Sequence, residues 1–87
     1  MSDAWGGHRA AAFAAVSAIG DLQEALSLAT DATERAMGAV AEAVGNSLVD
    51  AAAQAQGTLA GVTDRIQEIY GMTNAAKDDL ERYIAGF

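Results

Sequence analysis

The sequence predicts an all-α protein: an antiparallel helical hairpin of two long helices, dimerising to a four-helix bundle. Three observations predict it. The 87 residues contain no proline, apolar residues step by four and three along both halves, and one short polar break, Gly45-Asn46-Ser47, separates the halves. Proline is the strongest helix breaker, and steps of four and three keep side chains on one helical face.

The first arm is expected over residues 9–44. Ala11, Ala15, Ala18, Leu22, Ala25, Ala29, Ala32, Ala36, Ala39 and Ala43 form one row. One position along runs a bulkier row: Ala12, Val16, Ile19, Gln23, Leu26, Thr30, Thr33, Met37, Val40 and Val44. Ser17, Asp21, Glu24, Asp31, Arg35, Gly38 and Glu42 lie opposite. A single helix satisfies all three rows at once; a strand satisfies none.

The second arm is expected over residues 48–86. Its row is Leu48, Ala52, Ala55, Leu59, Val62, Ile66, Ile69, Thr73, Ala76, Leu80, Tyr83 and Phe87, a seam of the coiled-coil kind. Asp50, Gln54, Gly57, Asp64, Glu68, Asp78 and Arg82 take the other side. The turn is expected at 45–47: Gly45 can close a helix with φ > 0, and Ser47 is a fitting N-cap with Asp50 three residues on. A turn this short makes neighbouring helices antiparallel. Each arm would be about 55 Å long at 1.5 Å per residue.

A compact bundle of four or five short helices is the rival. Gly20-Asp21, Thr30-Asp31 and Gly71 followed by Thr73 read as stop-and-restart signals. The stepping passes through all three without a change of phase, which favours long helices. A kink, if present, is expected at 71–73, where Gly-Met-Thr-Asn combines poor helix formers. Residues 1–8, with Trp5 followed by Gly6 and Gly7, read as a flexible lead-in.

Composition narrows the chemistry. There is no cysteine and one histidine, so neither a disulfide framework nor a thiolate or His-cluster metal site can be built. Twelve acidic residues against five basic ones, net −7, argue against nucleic acid or an anionic membrane as ligand. No stretch is long and apolar enough to span a bilayer. The apolar run at 10–20 behind Arg9 is mostly alanine, so no signal peptide is expected. That leaves the cytoplasm or a signal-independent export route.

Catalytic motifs are missing their partners. His8 beside Arg9 reads as a solvated helix start. Ser17, Ser27 and Ser47 have no histidine near them to act as base. Asp78, Asp79 and Glu81 with Arg82 read as a solvated face rather than a cation site. Gly57 and Gly61 make a GxxxG match, but on the polar side. No enzyme, cofactor or metal is expected.

The expected site is an interface. The row of Ala11, Ala15, Ala18, Ala25, Ala29, Ala32, Ala36, Ala39 and Ala43 would let helix axes approach closely. Two adjacent apolar rows make the first arm wider than one partner needs: the second arm covers one, and another chain should cover the other. Trp5, Phe13, Tyr70, Tyr83 and Phe87 are expected to gather at the open end, as a clasp or a docking patch.

In these features the chain resembles the WXG100-type proteins of type VII secretion. The likeness lies in a small, acidic, cysteine-free hairpin and in Trp5-Gly6-Gly7. The resemblance implies four-helix pairing and export without a cleaved signal. In that family the Trp-x-Gly sits in the turn, whereas the turn here reads Gly45-Asn46-Ser47. The family's C-terminal Tyr-x-x-x-acid is only approached, by Tyr70 with Asn74 or Tyr83 with Phe87.

The function expected is therefore a non-enzymatic helix-packing module, pairing with itself or with another helical protein; the resemblance implies a type VII secretion-like complex as its setting. The alternatives are a structural subunit of a phage or other particle, or a small acidic regulatory protein.

Overall fold

A computed structural model describes residues 3–44 and 50–86, and the side chains of 6–43 and 50–86. Two helices account for almost all of it: α1 (Asp3–Val44) and α2 (Asp50–Ala85). No strand occurs among the described residues. The expected turn at 45–47, with Leu48 and Phe87, lies outside them.

Both helices run without interruption. α1 passes through Gly20 and Thr30, and α2 through Gly71. The molecule is a rod of 70 × 15 × 14 Å with a radius of gyration of 19.8 Å. A compact chain of this length would have a radius of about 12 Å. The short-helix bundle is thereby excluded.

α1 starts earlier than expected. Residues 3–8 continue the helix rather than forming a flexible lead-in. Adding a residue to an existing helix needs only one new hydrogen bond per residue fixed, so the alanine-rich stretch behind Gly6 and Gly7 can carry them. At the other end, the Gly86 amide donates to the carbonyls of Arg82 (3.1 Å) and Tyr83 (3.2 Å), closing α2.

Two cross-helix contacts fix the antiparallel sense. Gln23 on α1 reaches Thr73 and Asn74 on α2, while Gln56 reaches Met37. Early residues thus meet late ones. Gln23 with Thr73 and Gln56 with Met37 place residue i of α1 near the levels of residues 93 − i to 96 − i of α2.

Burial locates the seam. On α1 it follows the bulkier row from Ala12 to Val40, with Ala12 (6% exposed) and Thr33 (8%) the most enclosed. On α2 the buried and half-buried positions are Ala52, Ala55, Gln56, Leu59, Thr63, Ile66, Thr73, Lys77, Leu80 and Ile84, while Tyr70, at the matching heptad position, is exposed. This corrects the expected second row. Ala52, Leu59, Ile66, Thr73 and Leu80 are shared. Gln56, Thr63, Lys77 and Ile84 join them and Ala55 stays half-buried, whereas Val62, Ile69, Ala76 and Tyr83 are exposed.

The polar seam residues are tolerated because their polar atoms find partners. Thr30, Thr33 and Thr63 donate their hydroxyls to the carbonyls four residues back in their own helix. Thr73 donates to the carbonyl of Tyr70. A threonine bonded in this way turns its methyl group to the seam and leaves no donor stranded. Lys77 reaches outward to Glu81, Nζ to Oε1 3.9 Å, burying its stem while its charge stays wet.

Candidate interaction surface

With the seam placed, every other position follows from helical geometry. In heptad notation, Ala12, Ile19, Leu26 and Thr33 are d on α1, and Leu59, Ile66, Thr73 and Leu80 are d on α2. Val16, Gln23, Thr30 and Met37 are a, as are Thr63, Tyr70, Lys77 and Ile84. In an antiparallel pair, the c and g positions of both helices share one side of the hairpin, and b and e share the other.

The c and g side of α1 is the alanine row, interrupted only by Leu22. None of its residues is charged. Ala15 and Ala29 are half-buried, while Ala11, Ala18, Ala25, Ala32, Ala36, Ala39 and Ala43 are exposed. On α2 the same side carries Ala55, Val62, Ile69, Met72, Ala76 and Tyr83, with Thr58, Arg65 and Asp79 among them. Leu22, Val62, Ile69, Met72 and Tyr83 are all exposed. The chain thus holds its smaller apolar residues and several of its larger ones on a single outer face.

The b and e side is the electrostatic opposite. On α1 it presents Glu24, Asp31 and Glu34; on α2, Asp50, Asp64, Asp78 and Glu81. Among the described residues, the Arg9 guanidinium reaches over Phe13 on this side. The same side also carries Gly20, Gly38, Gly57 and Gly71, where an added methyl group would meet nothing within 4 Å. Arg35 and Arg82 point away from the seam, and Arg82 pairs with Asp79. This pair and Arg65 with Glu68 (4.0 Å) are exposed and contribute little to stability.

Of the expected aromatic cluster, Phe13, Tyr70 and Tyr83 are among the described side chains, and these three do not share one face at one level. Tyr70 lies 13 positions before Tyr83, about 20 Å along the helix. Phe13 is on the acidic side, with the Arg9 guanidinium 5.7 Å from its ring centre, a cation–π arrangement. Tyr83 is on the apolar side at the same level. Trp5 belongs to α1 by its backbone; its side chain and Phe87 lie outside the described residues. The heptad phase of α2 separates Phe13 from Tyr83. That phase was not legible from the apolar pattern.

The described residues offer little chemistry. No group of three or more His, Asp or Glu side chains converges to hold a metal among them. A dent lined by Asp78, Glu81, Arg82 and Ala85 comes from one helix surface, so no second element closes over it. No helix is long and apolar enough to cross a membrane. No family model, curated protein or solved structure matches the chain.

Surface area reflects the rod shape. The chain exposes 6184 Å², whereas a compact monomer of 8.9 kDa exposes roughly 4,800 Å². The surplus, about 1,400 Å², is spread over the whole 70 × 15 × 14 Å rod. No side chain among the described residues is fully buried.

Proposed function

We propose that this protein is a non-enzymatic helix-packing module whose role is to associate, through the alanine-rich apolar face of the hairpin, with a further helical surface. One observation carries the reading. Alanines on α1, with Leu22, and Val62 and Ile69 on α2 form a mostly apolar band, interrupted on α2 by Arg65 and Asp79, and the hairpin's own seam leaves much of it exposed. Apolar bands of this extent mark association sites. A four-helix assembly is the simplest cover. The architectural likeness to WXG100-type proteins supports the same reading and suggests a secretion-linked complex as its setting.

A second reading, a repeating subunit in a particle or array, draws on the glycines of the opposite face. Gly38, Gly57 and Gly71 leave open space there, as a second close-packing surface would require. Two different contact faces generate open-ended assemblies rather than closed dimers.

Light scattering across a concentration series tests both. The first reading expects a discrete small oligomer of about twice 8.9 kDa, or a monomer that forms a discrete complex with a helical partner. The array reading expects mass that keeps growing with concentration.

A further inference from the structure

Each helix closes its seam against the other, yet the two seams are out of step along the chain. Among the described residues, the α1 seam ends at Val40 and the α2 seam begins at Ala52, twelve positions on. That spacing is about 3.3 turns at 3.6 residues per turn, or about 3.4 turns at the 3.5 of a coiled coil. The remainder is a third of a turn or more, roughly 120–155°. An apolar helix stripe is about 100° wide. The two stripes would therefore not overlap if one straight helix ran through both.

This offset decides how the chain can meet a copy of itself. Hairpins can open and exchange arms, α1 of one copy taking the seam of the other copy's α2. The simplest exchange runs each chain as one straight helix and lays two of them side by side, antiparallel. The seam contacts permit it, since Gln23 with Thr73 and Gln56 with Met37 would serve between chains as well as within one. Register permits it too, because the level of α1 against α2 is the same relation in either arrangement. Phase does not. In a straight chain α1 would turn its seam to the partner while α2 turned its own aside.

We infer that the phase offset between the two seams bars arm exchange, so that each chain fills its own seam even where chains associate. The segment between the helices, residues 45–49, sets the offset by its length. Two further residues would make the spacing two whole heptads and bring the seams into line. A partner thus meets a finished hairpin from outside and does not open it. The inference is independent of which outer face a partner uses.

The chain has no cysteine, so labels can be placed singly. Ser17 and Asp78 are exposed, lie outside the seam and stand at matching levels. Spin labels on Ser17→Cys with Asp78→Cys are read after refolding with an excess of unlabelled chain, which leaves only distances within one chain. The closed hairpin is expected to give less than about 35 Å, two helices ~10 Å apart plus label arms. An exchanged straight chain would give roughly 90 Å between positions 17 and 78 at 1.5 Å per residue. Loss of the short distance overturns the inference.

Two variants test the cause. Residues 45–49 are replaced by five alanines in one and by seven in the other, favouring a continuous helix in both. The seven-alanine chain is expected to lose the short distance and to sediment as a discrete dimer, a rod of about 125 Å. The five-alanine chain is expected to form no such dimer. An exchanged dimer with five alanines, or none with seven, overturns phase as the cause.

Discussion

Gln23 Nε2 donates to the Thr73 hydroxyl oxygen at 3.1 Å, across the seam and 50 residues along the chain. The same amide donates to Asn74 Oδ1 at 2.7 Å, and the Thr73 hydroxyl in turn donates to the Tyr70 carbonyl at 2.6 Å. One polar layer therefore ties the two arms at a single height. Apolar side chains tolerate sliding by a heptad; this layer does not. It identifies which level of α1 meets which level of α2.

Replacing Gln23 by alanine should remove both cross-helix bonds and leave Thr73 bonded to Tyr70. The expected loss is about 1 kcal/mol, equivalent to a fall in melting temperature of roughly 4–8 °C for a domain of this size. Circular dichroism melts of Gln23→Ala and the parent chain measure it. An unchanged melting curve would show that the layer sets nothing.

Gln56 should behave in the opposite sense. Its Nε2 donates to the Met37 carbonyl at 2.9 Å, but among the described residues its Oε1 is buried without a hydrogen-bond partner. Leucine at this position removes the orphaned acceptor while keeping the volume. Gln56→Leu is expected to leave stability unchanged or raise it by up to about 1 kcal/mol, read as urea midpoint at constant m-value. Clear destabilisation would mean that the amide contributes more than its single bond.

Glycine within a helix is expensive when nothing requires it. Gly38, Gly57 and Gly71 lie inside the helices with room for a methyl group. Each change to alanine should stabilise by about 0.5–1 kcal/mol, nearly additively at well-separated sites. The triple variant should melt at a clearly higher temperature with its oligomeric mass unaltered. Loss of assembly with helicity retained would instead mark the acidic face as a packing surface, the array arrangement.

Apolar patterning made α1 legible and misplaced α2. On α1 the row from Ala12 to Val40 is mostly aliphatic, so periodicity and burial agree. On α2 the buried row contains Gln56, Thr63 and Lys77, which a transfer-based pattern assigns to solvent. They remain in the seam because Thr63 bonds its own backbone, Gln56 reaches Met37, and Lys77 extends to Glu81. The pattern followed Val62, Ile69 and Tyr83 instead, which the structure holds at or beyond a third exposed. Those residues give the exposed band its bulk. The paired Gly6-Gly7 misled in the same way, since local propensity gave no weight to the helix behind it.

Ionic strength should separate the two faces. If the apolar bands meet and the acidic faces point outward, salt screens repulsion between the chains and association tightens from ~0.01 M to ~0.5 M salt, as the screening length falls from about 30 Å to a few ångströms. Isothermal dilution or fluorescence anisotropy gives the dissociation constant at each salt. Weakening with salt would indicate an attractive contact made by the acidic face.

Sedimentation equilibrium of the parent chain beside Ala29→Glu with Ala36→Glu tests the central claim most directly. The apolar band as a contact between copies predicts a dimer for the parent and a monomer of unchanged helix content for the variant. A dimer of the same mass for both chains would contradict it.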